Sequence, residues 1–189
     1  MKVLVACEFS AIVRDAFRAV GHDAWSVDIE PTEGDPKYHI RADARIMLTA
    51  HWDMMIAFPP CTDLAVSGAH RWAQKRADGR QQRAAEFFLS LWNAPIAHVA
   101  IENPVGWMNS HWRKPDQIVQ PWQHGHGEQK ATCLWLRGLP TLVPTNVVDG
   151  RAQRILGMGE SKNRARERSR TYTGIARAMA QQWGERVRG

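Results

Sequence analysis

Four residues that can do acid–base or nucleophilic chemistry follow four apolar segments of the chain: Glu8, Asp28, Cys61 and Glu102. Cys61 comes directly after two prolines, in the stretch AFPPCTDL. Proline lacks the N–H that a sheet ladder needs, so we expect Cys61 on a stiff loop beyond a strand. A thiol there can pack, bind a metal or attack a substrate. Because buried cysteines most often only pack, Cys61 alone identifies no reaction.

Glu102 supplies a second group at the end of a predicted strand, directly after an apolar run and before Asn103 and Pro104. A carboxyl in such a partly desolvated place tends to have a raised pKa and can donate a proton. The basic segment that follows Cys61 would stabilise a thiolate. Together, the two residues are typical of a nucleophile paired with an acid. Cys7 and Cys133 each lie inside an apolar strand, and we interpret them as structural.

The sequence favours neither a disulfide framework nor a metal site. The three cysteines are odd in number and far apart, and none forms a C-x-x-C pair. His124 and His126 lie close together, but no second pair of ligands has the spacing of a zinc site. We therefore predict no metal.

Hydrophobic periodicity predicts alternating strands and helices. Ser10 is the expected cap of the first helix and Gly21 its end. The stretch EPTEGDPKYHIRADA is expected to be a loop, and residues 137–170 to be irregular. Strands are predicted at 3–7, 24–28, 53–58, 97–101 and 130–136, and helices at 12–20, 45–50, around 84–92, and at 174–187.

This alternation implies a mainly parallel α/β sheet, in which ligands bind beyond the carboxyl ends of the strands. A turn after the first strand, followed by an acid after the second, is how doubly wound folds bind a nucleoside. The turn CEFSAIV has no glycine, which disfavours a dinucleotide pyrophosphate. A nucleoside without phosphates, such as S-adenosylmethionine, makes a lighter demand. An ordinary strand–helix turn stays open as the alternative.

Composition and charge set further bounds. A chain of 189 residues is expected to form one domain, and its first residues resemble a buried strand more than a secretory signal, so we expect a cytoplasmic protein. No apolar stretch reaches the length of a membrane span. The net charge of +6 favours an anionic partner, with nucleic acid the commonest. Arginines concentrate at 151–170, where a solvated loop is the alternative interpretation.

The stretches FPPCTDLAVSGA and IENPVGW resemble the Pro-Cys and Glu-Asn-Val motifs of the DNA (cytosine-5) methyltransferase family. LVACEFSAIVRDAFRAVGHDAW is similar to that family's first cofactor motif, and RTYTGIARAMAQQW resembles its last. The compact form is similar to short methyltransferase-like proteins of bacteriophages and prophages. The resemblance implies a Rossmann-like class I methyltransferase fold, a mainly parallel sheet with flanking helices, S-adenosylmethionine as cofactor and duplex DNA with a flipped cytosine as partner.

The resemblance also implies site residues. The catalytic residues would be Cys61, which attacks C6 of cytosine, Glu102, which holds and protonates N3, and Lys130, which stands near the place of an arginine in the family's Gln-x-Arg-x-Arg motif. The cofactor would be bound by Glu8, Phe9, Ser10, Asp28, Ile29, Asp43, Pro59 and Thr173. Nucleic acid would be bound by Arg164, Arg166, Arg168 and Arg170.

The chain departs from the family in its glycine-free first motif and in its length. Family members usually carry a separate target-recognition domain, whereas here a basic insertion at 139–170 in the single domain 1–189 would take its place. Readout of the target would then be short, weak or shared with a second subunit in a homodimer. The alternatives are a C5 methyltransferase acting on RNA, an enzyme using a modified cofactor, and an inactive DNA-binding protein derived from a methyltransferase.

Overall fold

The computed structural model describes residues 1–153 and 162–186, without the side chains of residues 162–165 and 186. Within these residues, the strands are β1 (Lys2–Ala6), β2 (Asp23–Asp28), β3 (His39–Arg41), β4 (Met54–Ala57), β5 (His98–Pro104), β6 (Gln117–Val119) and β7 (Thr132–Arg137). The α-helices are α1 (Ile12–Ala19), α2 (Trp72–Ala77), α3 (Arg80–Trp92), α4 (Trp107–His111), α5 (Lys162–Ser169) and α6 (Thr173–Arg186).

The strands form one sheet in the order β3-β2-β1-β4-β5-β7-β6. The first five are parallel, and β7 runs antiparallel between β5 and β6. Chain order reverses between β1 and β4, which is the switch point where open α/β sheets bind ligands. The carboxyl ends of β1, β2, β4 and β5 therefore lie at one edge, as the sequence predicts.

The core has two halves, one on each face of the sheet. Alternate residues of β1 point to opposite faces, so Val3 and Val5 pack with Trp183, whereas Leu4 and Ala6 pack in the second cluster. Helices α1 and α6 cover the first face, and α3 covers the second. A fully buried aromatic or aliphatic side chain contributes about 1.5–3 kcal/mol to folding, so these helices are held mainly by their apolar stripes.

Most predicted elements are confirmed, with boundaries shifted by a few residues, but five elements were missed: the strands β3 and β6 and the helices α2, α4 and α5. β3 and β6 have three residues each, too few to show a periodic pattern. Residues 137–170 are not irregular throughout, because α5 spans Lys162–Ser169 with a sequence too polar to show an apolar stripe. The helix expected at 45–50 is a 3-10 turn, Ala44–Met47. The predicted insertion at 139–170 includes 154–161, which lie outside the described residues, and it stays a prediction.

The turn between β1 and α1 differs from the prediction that Ser10 caps the helix. Ala11 occupies the N-cap position in the left-handed conformation, with φ of 63°, and Cys7 has φ of 59°. Ser10 Oγ accepts only a long hydrogen bond, 3.4 Å, from the N–H of Ile12, and the next two amides of the helix are satisfied by the buried carboxylate of Glu8. It accepts hydrogen bonds from the backbone N–H of Val13 at 2.7 Å and of Arg14 at 3.1 Å. Thus a glycine-free turn is built from two strained residues and one buried acid.

This arrangement predicts a pH dependence of stability. Burial raises the pKa of Glu8 from 4.5 to about 7, although hydrogen bonds from the helix amides oppose the shift. The folded protein therefore holds this proton more tightly than the unfolded chain. The resulting stabilisation is complete below pH 4.5 and is lost as the pH rises through 7. Relative to Glu8→Gln, the free energy of unfolding of the natural protein should fall by up to about 3 kcal/mol across this range.

Urea unfolding at pH 5, 6, 7 and 8 measures the difference. Glu86→Gln is the matched control, since Glu86 is exposed on α3, and it should follow the natural protein at every pH. Parallel stability curves for the natural protein and Glu8→Gln would contradict the prediction.

Candidate active site

The loop that carries Cys61 leaves β4 at Ala57 and turns sharply at the cysteine itself. The backbone carbonyl of Cys61 accepts hydrogen bonds from the N–H of Leu64 at 3.0 Å and of Ala65 at 2.8 Å. Pro59 and Pro60 fix φ in the segment before the turn. These constraints give Cys61 a defined loop beyond the sheet, as the sequence predicts. The residue is half-buried there.

Asn103 joins this loop to the strand that carries Glu102. Its buried Nδ2 donates a hydrogen bond to the carbonyl of Pro59 at 2.9 Å. No role for Asn103 is predicted from the sequence. Its place directly after the predicted acid was the only signal, and the partner, 44 residues away, is visible only in the fold. A buried amide bonded to a carbonyl on another segment holds the two in register.

A second set of contacts locks the far end of the loop. The N–H of Trp107 donates to the carbonyl of Leu64 at 2.7 Å, and the N–H of Val66 donates to the carbonyl of Val105 at 2.9 Å. Gly106 lies between them, where a Cβ would collide with the Leu64 carbonyl. The close approach therefore requires glycine. As a result, the Cys61 loop and the Glu102 segment are joined at both ends.

Electrostatics couple the predicted catalytic groups. Burial raises the pKa of Cys61, the charge of Glu102 raises it further, and Arg168 and Lys130 oppose both effects. Burial also raises the pKa of Glu102, opposed by Lys130. The structure therefore brings Cys61, Glu102 and Lys130 into one electrostatic group. In this group, the neutral acid can donate a proton, and nearby cations favour the thiolate.

Lys130 also contacts the segment that closes the pocket. Its Nζ donates to the backbone carbonyl of Arg168 at 2.7 Å and lies 5.8 Å from the centre of the Tyr172 ring. The pocket beside it is lined by Phe58, Glu102, Lys130, Thr132, Ser169, Arg170, Thr171, Tyr172, Ile175 and Met179. The end of α5 and the start of α6 thus form one wall of the pocket that contains Glu102.

The predicted cofactor residues after β2 suit an adenosine. Asp28 lies at the carboxyl end of β2, where one carboxylate oxygen accepts from the N–H of Glu30 at 2.9 Å. Burial raises the pKa of this carboxyl. Ile29 follows it and is 68% exposed, which leaves an apolar surface beside a hydrogen-bonding acid. A carboxylate that can accept hydrogen bonds from ribose hydroxyls, beside an apolar surface for a purine, fits a nucleoside without phosphates.

Other predicted cofactor residues are engaged within the protein. The carboxylate of Asp43 binds the side chain of Arg45, whose hydrogen bonds lower its pKa. The carboxylate of Glu8 accepts hydrogen bonds from the first turn of α1 and from Ser10 Oγ, so it is engaged within the protein. Thr173 begins α6, where its Oγ1 and the next N–H both lie within hydrogen-bonding distance of His126 Nε2, at 3.3 Å and 3.1 Å. Pro59 lies in the loop held by Asn103.

Helix α5 lies across the carboxyl edge of the sheet. At one side, the guanidinium of Arg166 pairs with Glu33 at 2.8 Å and covers the Phe9 ring at 4.3 Å. Arg170 pairs with the same Glu33 at 2.7 Å. Partial burial favours protonated Glu33, but the hydrogen bonds from the two arginines outweigh it and lower the pKa. The predicted arginine cluster is therefore partly neutralised inside the molecule.

Arg168 points the other way along α5, towards the Cys61 loop. Its Nη2 lies 3.5 Å from Ser67 Oγ, at the outer limit of a hydrogen bond. The side chain of Arg164 lies outside the described residues. Of the four predicted nucleic-acid contacts, two are ion-paired within the chain and one faces the nucleophile.

No cluster of three or more His, Cys, Asp and Glu residues suited to a metal ion occurs in the described part of the chain. None of the helices at 1–153 or 162–186 is both long and apolar enough to cross a bilayer.

Comparisons with known proteins address the fold. No protein-family model matches the sequence. No curated protein matches it either. Among solved structures, the chain is similar to a prophage-encoded E. coli protein named as a DNA modification methyltransferase, with a TM-score of 0.53 and 14% sequence identity. The match covers 83% of this chain and 54% of that protein, so the chain spans about half its length. This likeness confirms the predicted α/β fold, a mostly parallel sheet flanked by helices.

Proposed function

We propose that this chain transfers a methyl group from S-adenosylmethionine to C5 of cytosine in DNA. The observation that carries the proposal is the Cys61 loop, held by Asn103 against the strand of Glu102, with Lys130 acting on both groups. The turn after β1 and Asp28 lie along the same edge of the sheet. The fold shared with a protein named as a DNA modification methyltransferase supports methyl transfer to DNA.

The proposed chemistry follows from the poor nucleophilicity of C5 in cytosine. The thiolate of Cys61 adds to C6, while Glu102 donates its proton to N3, so the ring becomes an enamine whose C5 is nucleophilic. S-adenosylmethionine, when bound, supplies an electrophilic methyl group. C5 takes up this methyl group, loss of the C5 proton to solvent and departure of the Cys61 thiolate re-form the C5–C6 double bond, and N3 returns its proton to Glu102, which restores the aromatic ring. The target base must leave the duplex to reach this group.

The proposed residues fall into three groups with different duties. Cys61, Glu102 and Lys130 act on cytosine, and Asn103 positions the loop. The cofactor is held by the residues predicted from the sequence, namely Glu8, Phe9, Ser10, Asp28, Ile29, Asp43, Pro59 and Thr173. Arg164 and Arg168 remain the DNA contacts proposed on α5. Arg166 and Arg170 fasten that helix to Glu33, which lowers their availability to phosphate.

Identification of the methylated base tests the proposal. Tritiated S-adenosylmethionine and DNA are incubated with the protein, and the labelled nucleoside is identified after digestion. We expect 5-methylcytosine, with none produced by Cys61→Ala, which lacks the nucleophile. Glu102→Gln should lower the rate by about 10²–10⁴-fold, because it lacks the donated proton. Cys133→Ala, which removes a buried thiol of β7, is the matched control and should keep its activity.

Other outcomes separate the alternatives. Label only in RNA would identify an RNA methyltransferase. DNA binding with no transfer would favour a DNA-binding protein derived from an enzyme. Label on an amino nitrogen of a base, or transfer that survives Cys61→Ala, would contradict the proposed mechanism.

Lys130 gives a prediction about the pH profile of transfer. Its charge lowers the pKa of both Cys61 and Glu102 against the effect of burial, so its loss should raise both. The rising limb of the profile reports the thiolate and the falling limb the protonated acid. Lys130→Gln should therefore move both limbs to higher pH. Initial rates across pH 5.5–10 (a range set by the ordinary values of the two groups) measure the shift.

Lys130→Arg is the control, because it keeps the charge and should keep the natural profile. An unchanged profile in Lys130→Gln would exclude this electrostatic role for Lys130.

A further inference from the structure

The segment from residue 70 to residue 83 forms a basic face beside the Cys61 loop. It comprises the end of a 3-10 turn, α2 and the first turn of α3. It carries five Lys and Arg residues and a single acid, Asp78. Much of the chain's excess positive charge is thus concentrated on one short segment outside the arginine-rich region 151–170.

The arginines of this face are available to a ligand. Arg71, Arg76 and Arg83 are exposed, and in the described part of the chain none of them has a carboxylate ion pair. Arg80 is the member that pairs with Asp78, at 2.7 Å. This contrasts with α5 and the residue that follows it, where Glu33 binds both Arg166 and Arg170.

Buried contacts fix this face to the nucleophile loop. The ammonium of Lys75 is almost fully buried, donates to the carbonyl of Thr62 and pairs with Asp63 at 3.2 Å. From α3, Gln81 Nε2 donates to the carbonyl of Asp63 at 3.2 Å. Both helices are therefore attached to the two residues that follow Cys61. A ligand bound to the face would hold a fixed position relative to the thiol.

The surface between the loop and α3 is an open depression. It is lined by Pro60, Thr62, Asp63, Arg80, Arg83, Ala84 and Phe87. Its lining thus combines the two guanidinium groups of Arg80 and Arg83 with three apolar side chains, and the carboxylate of Asp63 is paired with Lys75. Arginine binds phosphate oxygens through two parallel N–H donors, and an apolar floor accommodates a sugar.

We propose that this face binds the phosphodiester backbone of duplex DNA beside the target cytosine, with Arg71, Arg76 and Arg83 as phosphate contacts. The inference rests on the proposed function and identifies the surface that would position the duplex. Contacts of this kind fix the register of a protein on DNA without reading its sequence. They also make affinity depend on salt, since each neutralised phosphate releases condensed counterions.

The salt dependence of DNA binding tests the proposal. Dissociation constants for a labelled, cytosine-containing duplex are measured at several salt concentrations with the natural protein and with the double variant Arg76→Gln/Arg83→Gln. The slope of log affinity against log salt should fall in magnitude by about 2, since about 0.9 is lost for each phosphate contact. The control, Lys37→Gln/Arg177→Gln, removes two exposed charges elsewhere and should keep the natural slope.

The outcomes separate this inference from the proposed function. Equal slopes in the two double variants would overturn the inference, and methyl transfer by the natural protein would leave the proposed function standing. A salt slope that falls in Arg76→Gln/Arg83→Gln but not in the control, in a protein that transfers no methyl group, would support the proposed DNA-binding face. The same result would contradict the proposed enzymatic function. Duplex DNA would be overturned as the partner if the natural protein failed to bind it. It would also be overturned if the salt slope of Arg76→Gln/Arg83→Gln fell only when RNA replaced the DNA.

Discussion

The hydrogen bond from Asn103 to the carbonyl of Pro59 joins the two pieces of chain on which the candidate chemistry depends. The Pro-Pro segment cannot pair as a strand, and Glu102, which is paired with β7 on one side, lies beyond the pairing of β5 with β4 on the other. The bond from Asn103 therefore makes the connection on the β4 side. A buried amide left without its partner is penalised by about 1–3 kcal/mol. The same bond therefore restricts movement of both the Cys61 loop and the end of β5. Gly106 secures the other end of the loop by permitting contact with Leu64.

In the joined site, burial raises the pKa of both Cys61 and Glu102, but the chemical consequences for the two groups are opposite. A raised pKa keeps Glu102 protonated, which suits an acid, and keeps Cys61 protonated, which hinders a nucleophile. Lys130 and Arg168 favour the thiolate, and the hydrogen bond from Lys130 Nζ to the backbone carbonyl of Arg168 holds the two residues together. Helix α5 therefore contributes to the site through electrostatics as well as by covering it.

The sequence could predict the parallel sheet and the edge where Glu8, Asp28, Cys61 and Glu102 meet, because buried strands and strand-end acids leave local signals. It could not predict α5, whose residues have no apolar stripe and are anchored by ion pairs to Glu33. Nor could it show that Glu8 satisfies two amides of α1 while Ser10 accepts only a long hydrogen bond from a third, since that depends on the left-handed backbone at Cys7 and Ala11. The pairing of Asn103 with Pro59 was hidden for the same reason: its partner is distant in the chain.

The number of basic residues in a segment does not show how many of their charges are free to bind an anionic partner. The arginine-rich segment 151–170 has a high density of positive charge in the sequence, yet two of its arginines, Arg166 and Arg170, are paired with Glu33 and Glu167 in the fold. Residues 70–83 have a similar density, and there the buried charge of Lys75 is used to attach the helices while Arg71, Arg76 and Arg83 stay exposed. An anionic partner responds to charge that is unpaired and fixed in space. On that criterion, the face beside Cys61 is better placed than α5 to orient a polyanion towards the thiol.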